Sequence, residues 1–234
     1  MSNSNYIELS EKVLDSFQAF LVKDAKFTSN EEYPILRKEM ISTELLKKIM
    51  PFDKAIIFQG NLSDTYICFF TADEKFERVR KNPKKYLNFF KRTAGIIGFD
   101  FSIHSDMTVV KQKSQMNDNL SITYYYGNEG IKIIPNIRTG INELNDEFYS
   151  AIPKHSMIAV GTHGFIKTKP EQAEWYCCLE EVIEKLQPST IIVYGTLSNK
   201  MFDKLKGKAD FVFYDAWIVQ RRKAVIANGD KRGK

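Results

Sequence analysis

The sequence predicts an α/β fold built from repeated βα units around a mainly parallel sheet, and three observations carry that reading. Short continuous apolar runs recur at Ile96–Phe99, Ile131–Ile134, Met157–Val160 and Ile191–Val193, the pattern of strands buried on both faces. Helix-length polar-apolar stretches separate them, as right-handed βα crossovers require. Each run stops in a compact polar or glycine-bearing cluster: Asp100-Phe101-Ser102, Pro135-Asn136-Ile137-Arg138, Gly161-Thr162-His163-Gly164 and Tyr194-Gly195-Thr196. When every strand ends in this way the ends converge on one mouth, which favours a small or incomplete (β/α) barrel over the alternative of an open doubly wound sheet.

The elements follow in order. Ser10 is a plausible N-cap for an amphipathic helix to about Val22, with Val13, Phe17, Phe20 and Leu21 at helical spacing. Ser42–Met50 reads as a short helix stopped by Pro51. Lys54–Phe58 and Thr65–Thr71 read as two strands joined by the turn Gln59-Gly60-Asn61-Leu62-Ser63-Asp64, an antiparallel hairpin at the sheet edge. Asp73–Lys91 reads as helix in two pieces, with Pro83 opening the second. Helices are expected over Met107–Asn128, Asn142–Ser150 and Pro170–Leu186, the last with a Thr168/Glu171 capping box and with Pro188 beyond its end. The final strand is Asp210–Tyr214. The expected organisation is an N-terminal helical appendage over 1–50, an α/β domain over 51–218 and a basic tail over 219–234.

Composition sets the class. With 234 residues, 43% hydrophobic and 27% charged, the chain suits one globular α/β domain. No run approaches the roughly 20 apolar residues of a membrane span, and the start lacks a secretory pattern, so no membrane partner is expected and the expected location is cytoplasmic. Three cysteines, Cys68, Cys177 and Cys178, are too few for a disulfide framework. The net charge of +5 is concentrated in Lys75–Lys91 and from Arg221 onward. Such clusters either follow a phosphate backbone or form a solvated helix face.

The strand-end clusters hold the candidate chemistry. Gly161-Thr162-His163-Gly164, with Lys167 nearby, suits close backbone approach to an anion such as phosphate, yet it matches neither a Walker A loop nor a dinucleotide fingerprint. His163 is the candidate general acid or base by its pKa range, and Asp100 is the candidate catalytic carboxylate. Asn136 and Arg138 flank Ile137 and point the same way in an extended chain, where the guanidinium forms a planar donor fork for phosphate or carboxylate. Tyr194 completes the expected rim. Asp100, Ser102, His104 and Asp106 are spaced by two and could present oxygen ligands to a divalent ion, but strand ends carry such residues as turn formers too; no metal or cofactor is assigned.

Several motifs in one order carry a resemblance: Asn82-Pro83-Lys84-Lys85-Tyr86-Leu87, Gly98-Phe99-Asp100-Phe101-Ser102, Ile134-Pro135-Asn136-Ile137-Arg138, Gly161-Thr162-His163-Gly164-Phe165-Ile166-Lys167 and Ile192-Val193-Tyr194-Gly195. From Lys54 to Trp217 the chain resembles an uncharacterised domain-of-unknown-function family common in phages and mobile elements of Gram-positive bacteria. The resemblance implies a phage or mobile-element context and brings no activity, cofactor or catalytic residue. His104 stands where the family has an aromatic residue, which weakens a metal role there.

The lead expectation is a protein that binds a phosphate-bearing ligand, a nucleotide or nucleic acid, at its strand ends, with phosphodiester or glycosidic chemistry as its possible reaction. The alternative is a non-catalytic module that engages nucleic acid or a host protein through a basic surface. Whether the chain is an enzyme is left open by every motif in it.

Overall fold

The computed structural model describes residues 15, 17–104, 106–138, 145–162, 169–195, 202, 203, 205 and 207–229. Seven strands, β1 (Lys48–Pro51), β2 (Thr65–Cys68), β3 (Gly95–Ile97), β4 (Ile133–Ile134), β5 (Met157–Gly161), β6 (Thr190–Tyr194) and β7 (Phe211–Tyr214), alternate with helices. These are α1 (Phe52–Ala55), α2 (Glu77–Lys81), α3 (Pro83–Phe90), α4 (Val109–Asn128), α5 (Asn145–Ser150), α6 (Lys169–Leu186) and α7 (Trp217–Gly229). Every strand pair is parallel. The strands lie in chain order as two sheets, β1-β2-β3-β4 and β5-β6-β7, with none of the order reversal of a doubly wound sheet.

A single parallel bridge, Asn136 to Ala159, joins the two sheets. There Ala159 N–H donates to the Pro135 carbonyl at 2.8 Å and Ile137 N–H donates to the Ala159 carbonyl at 2.9 Å. In a parallel ladder alternate residues face the same neighbour, so the next donor toward β5 would be residue 135. Proline has no N–H, and the β4–β5 pairing therefore shrinks to that bridge. On the far side the Tyr214 hydroxyl donates to the Leu46 carbonyl at 2.7 Å, yet no β1–β7 ladder forms among the described residues. The result is an incomplete barrel.

Side-chain alternation divides the core. Ile49, Tyr66, Cys68, Ile97, Ile134, Met157, Ala159, Ile192 and Tyr194 form the inner cluster, with Val212 and Tyr214 packed against it. Their sequence neighbours Ile67, Ile96, Ile133, Ile158, Val160, Ile191 and Val193 belong to the larger cluster beneath the helices. This is the period-2 partition of a strand with two buried faces. An aromatic layer lies between β1–β3 and the helices, with Phe69 stacked on Phe99 at 3.9 Å and Phe76 against Phe101 at 4.7 Å between ring centroids. Such pairs add about 0.5–1.5 kcal/mol each beyond their burial.

Two expected elements are corrected. The segment expected as helix, Ser42–Met50, instead leads into β1: Ile49 and Met50 are buried, and Pro51 ends an edge strand, where its missing N–H is tolerated. Lys54–Phe58, expected as a strand, is the end of α1 and the turn after it. Phe52 and Ala55, one helical turn apart, are fully buried, whereas Ile57 is 76% exposed. The expected antiparallel hairpin is consequently a parallel β1-α1-β2 unit. The helix break at Asn82-Pro83 is present, with the Asn82 side chain accepting from Lys85 N–H at the start of α3. Of the expected first helix, residues 10–14 and 16 lie outside the described residues; its end, Ala19–Val22, is a 3-10 turn and not an α-helix, with Asp15 Oδ1 accepting from Ala19 N–H. Part of the basic C-terminal segment forms α7.

Candidate functional site

The strand ends β3 and β4 place three polar side chains together. Beyond β3 the chain stays extended, so Phe99 and Phe101 turn into the aromatic layer and Asp100 between them faces the mouth. Helix α4 fixes that stretch. Thr123 Oγ1 accepts from Phe99 N–H at 3.1 Å, Asn119 Oδ1 accepts from Phe101 N–H at 2.8 Å, and Asn119 Nδ2 donates to the Phe101 carbonyl at 3.2 Å. Gly98 makes the close approach possible, since a Cβ there would lie 2.9 Å from the backbone nitrogen of Asn136.

Asn136 Nδ2 donates to Asp100 Oδ1 at 2.8 Å and lies 3.2 Å from the Phe99 carbonyl. Arg138 Nη1 stands 3.8 Å from the same Asp100 oxygen. The side chains of Asp100 and Arg138 are only 12% and 16% exposed. Asn136 is 7% exposed, and its Oδ1 is buried without a hydrogen-bond donor. Burial pushes the Asp100 carboxyl above its ordinary value; Arg138 and the Asn136 amide oppose that rise, and the nearby Asp73 carboxylate adds to it. A carboxyl so placed retains its proton to higher pH than an exposed one, beside a guanidinium with a fixed donor fork. That combination suits proton transfer next to a bound anion.

Asp73 and Asp53 belong to this mouth, and the sequence reading missed both. Asp73 follows β2 and accepts from the Ser102 backbone N–H at 3.1 Å and hydroxyl at 3.0 Å. Asp53 follows β1, with Oδ2 2.8 Å from Lys54 Nζ and Oδ1 buried without a partner. Each sits just past a strand end, the signal used for Asp100. The sequence pattern does not expose it, because the residues of β1 read as helix and those of β2 as a hairpin arm.

The ends of β5 and β6 are built differently. Thr162 is buried, its N–H donating to the Tyr194 carbonyl at 2.9 Å. Gly161 leaves room for the Phe70 ring, which would lie 2.6 Å from any Cβ there and stacks on Tyr194 at 5.2 Å. Tyr194 is 2% exposed, and its hydroxyl accepts from Trp217 N–H at 2.9 Å. Burial raises the pKa of its hydroxyl and pushes the neighbouring Cys68 thiol, itself fully buried in the inner cluster, up to about 12. His163, Gly164 and Lys167 lie outside the described residues. His104 is exposed, and among the described residues no cluster of three or more His, Cys, Asp or Glu side chains is placed to hold a metal ion.

The first basic cluster is largely engaged within the fold. Arg80 bridges Glu77 and Asp118, Lys91 pairs with Glu129, and Arg78 and Lys84 lie over the Phe52 and Phe20 rings.

A family model described as "Domain of unknown function (DUF4417)" matches residues 25–215. The chain belongs to this family. The DUF4417 match includes β1 through β7 and so every strand-end residue named above. The "Gene 1 protein" of Mycobacterium phage L5 is 27% identical over 161 residues, 69% of each chain. A second "Gene 1 protein", of Mycobacterium phage D29, is 25% identical over 129 residues, which cover 55% of this chain and 48% of that relative. The chain therefore spans about half the length of the D29 relative, and the family is phage-associated. No solved structure matches. No helix among the described residues is long and apolar enough to cross a membrane.

Proposed function

We propose that this DUF4417 protein binds a phosphate-bearing ligand, a nucleotide or nucleic acid, at the C-terminal mouth of its incomplete barrel, with phosphodiester or glycosidic chemistry there. The observation that supports the reading is the Asp100–Asn136–Arg138 constellation. A carboxyl with a raised pKa, a guanidinium and an amide with one unpaired oxygen are packed together where strand ends of βα folds bind their ligands. In this reading Arg138 holds the anion, Asn136 orients Asp100 and the ligand, and Asp100 moves the proton. Gly164 and Lys167 contribute backbone and cationic contacts and His163 serves as the second acid-base group, while Gly161, Thr162 and Tyr194 support them from the packed ends of β5 and β6.

The test is a thermal-shift screen of the full chain against nucleotides, sugar phosphates and short single- and double-stranded oligonucleotides, repeated with Arg138→Ala and Asp100→Asn. A ligand that binds the native state raises the midpoint by mass action. The reading expects a shift with one phosphate-bearing class that Arg138→Ala abolishes. Equal shifts in the wild type and both variants, or none with any phosphate-bearing ligand, would overturn it.

A further inference from the structure

A second surface lies along helix α7, beyond the end of β7 and beside Lys54, and does not use Asp100, Asn136 or Arg138. Helix α7 is held at its start by the Trp217 N–H bond to Tyr194, by Gln220 Nε2 donating to the Asp215 carbonyl at 2.6 Å and by the Lys223–Asp215 ion pair at 2.6 Å. Its positions 218, 221, 222, 225 and 226 follow the i, i+3, i+4, i+7, i+8 pattern and share one face. On that face Ile218, Val225 and Ile226 are 53%, 65% and 67% exposed. Together with Lys54 the face bounds a groove of about 600 Å³ whose apolar wall is Trp217, Ile218, Val225 and Ile226 and whose cations are Lys54, Arg221 and Arg222. Three large aliphatic side chains left in water on one helix face are a costly arrangement that a partner would relieve.

We propose that this groove docks an acidic amphipathic helix of a partner protein. Such a helix lays an apolar stripe against the aliphatic wall while its flanking Asp or Glu side chains meet Arg221, Arg222 and Lys54. Charge complementarity selects that occupant. A second copy of this chain would set each arginine pair against its own like, a repulsive pairing. Single-stranded nucleic acid would find one aromatic ring, Trp217, and otherwise aliphatic side chains where stacking platforms are needed.

The test is selection from a display library of helical peptides against the full chain, with counter-selection on R221E/R222E. Affinities of the enriched peptides are then measured for the wild type, R221E/R222E and Val225→Asp. All three substituted positions are exposed, and an unchanged thermal midpoint checks that each variant is folded; R221A/R222A replaces the charge reversal if it is not. The proposal expects enriched sequences with apolar residues at i, i+3 or i+4 and i+7 flanked by Asp or Glu. Their binding should weaken at least about tenfold in each variant, as for loss of a central contact. No enrichment, enrichment of neutral or basic peptides, or binding indifferent to the variants would overturn it. Tighter binding of a single-stranded oligonucleotide or of phosphatidylglycerol vesicles through Arg221 and Arg222 would overturn it in favour of those occupants. Arg138→Ala should leave peptide binding unchanged, which separates this outcome from failure of the strand-end reading.

Discussion

The ends of β3 and β4 and the ends of β5 and β6 look alike as sequence, an apolar run followed by polar residues, but the fold uses them in opposite ways. At β3 and β4, Asp100, Asn136 and Arg138 converge at the mouth, and the buried Asn136 Oδ1 is left without a donor. At β5 and β6, Thr162 donates its N–H and hydroxyl to the Tyr194 carbonyl, the Tyr194 hydroxyl accepts from Trp217 N–H, and the Tyr194 ring closes the inner core against Phe70. Depth separates the two. For Asp100 and Tyr194 the difference goes with position relative to the last ladder bond. Asp100 stands beyond the last paired residue of β3, whereas Tyr194 is itself the last paired residue of β6.

The comparison makes graded predictions. The largest effect should come from Tyr194→Ala, which empties a fully packed aromatic site and should cost about 3–5 kcal/mol in chemical denaturation; a cost below about 1 kcal/mol would place Tyr194 at the mouth after all. Next is Gly98→Ala, which drives a methyl onto the backbone of Asn136 and should cost about 1–3 kcal/mol. Because it displaces Asn136, it should also weaken whatever ligand Arg138 binds, a coupling absent if the two strand ends are independent.

A smaller effect should appear in the pH dependence of Asp100→Asn. Burial raises the folded-state pKa of Asp100 above the ordinary 3.8, so between those two values the folded protein binds more protons than the unfolded chain. Stability attributable to this group therefore falls as pH rises from about 4 through the folded-state value. Denaturation curves across that window should show the wild type losing stability relative to Asp100→Asn as pH rises. The opposite trend would mean that the Arg138 ion pair outweighs desolvation. Smallest of all, Lys75→Gln breaks an exposed, solvent-screened pair with Glu74 and should leave the denaturation midpoint unchanged.

Much of this was legible in the residues. The runs behind β3 to β6 stand out because parallel strands bury both faces, and the Asn82-Pro83 break is local chemistry that tertiary packing had no reason to override. The grouping of Asp100 with Asn136 and Arg138 follows from strand ends and alternation alone. What escaped has equally physical causes. β1 and α1 are four residues each, too short for periodicity to distinguish, and Pro51 serves an edge strand as readily as a helix stop. Asp53 and Asp73 were hidden by that same misreading. The depth of Tyr194 depends on how far the β5–β6 ladder runs, and the thinning of the β4–β5 pairing at Pro135 is a register effect; neither is a property of one segment. The exposed face of α7 lay within a segment whose basic residues masked its helical spacing.

The measurement that bears most directly on the strand-end account is amide chemical-shift mapping of the full chain during titration with inorganic phosphate and with a nucleoside monophosphate. The account predicts saturable shifts centred on Asp100, Asn136 and Arg138, lost in Arg138→Ala while the rest of the spectrum is retained. Shifts confined to α7 and Lys54, or none that saturate, would contradict it.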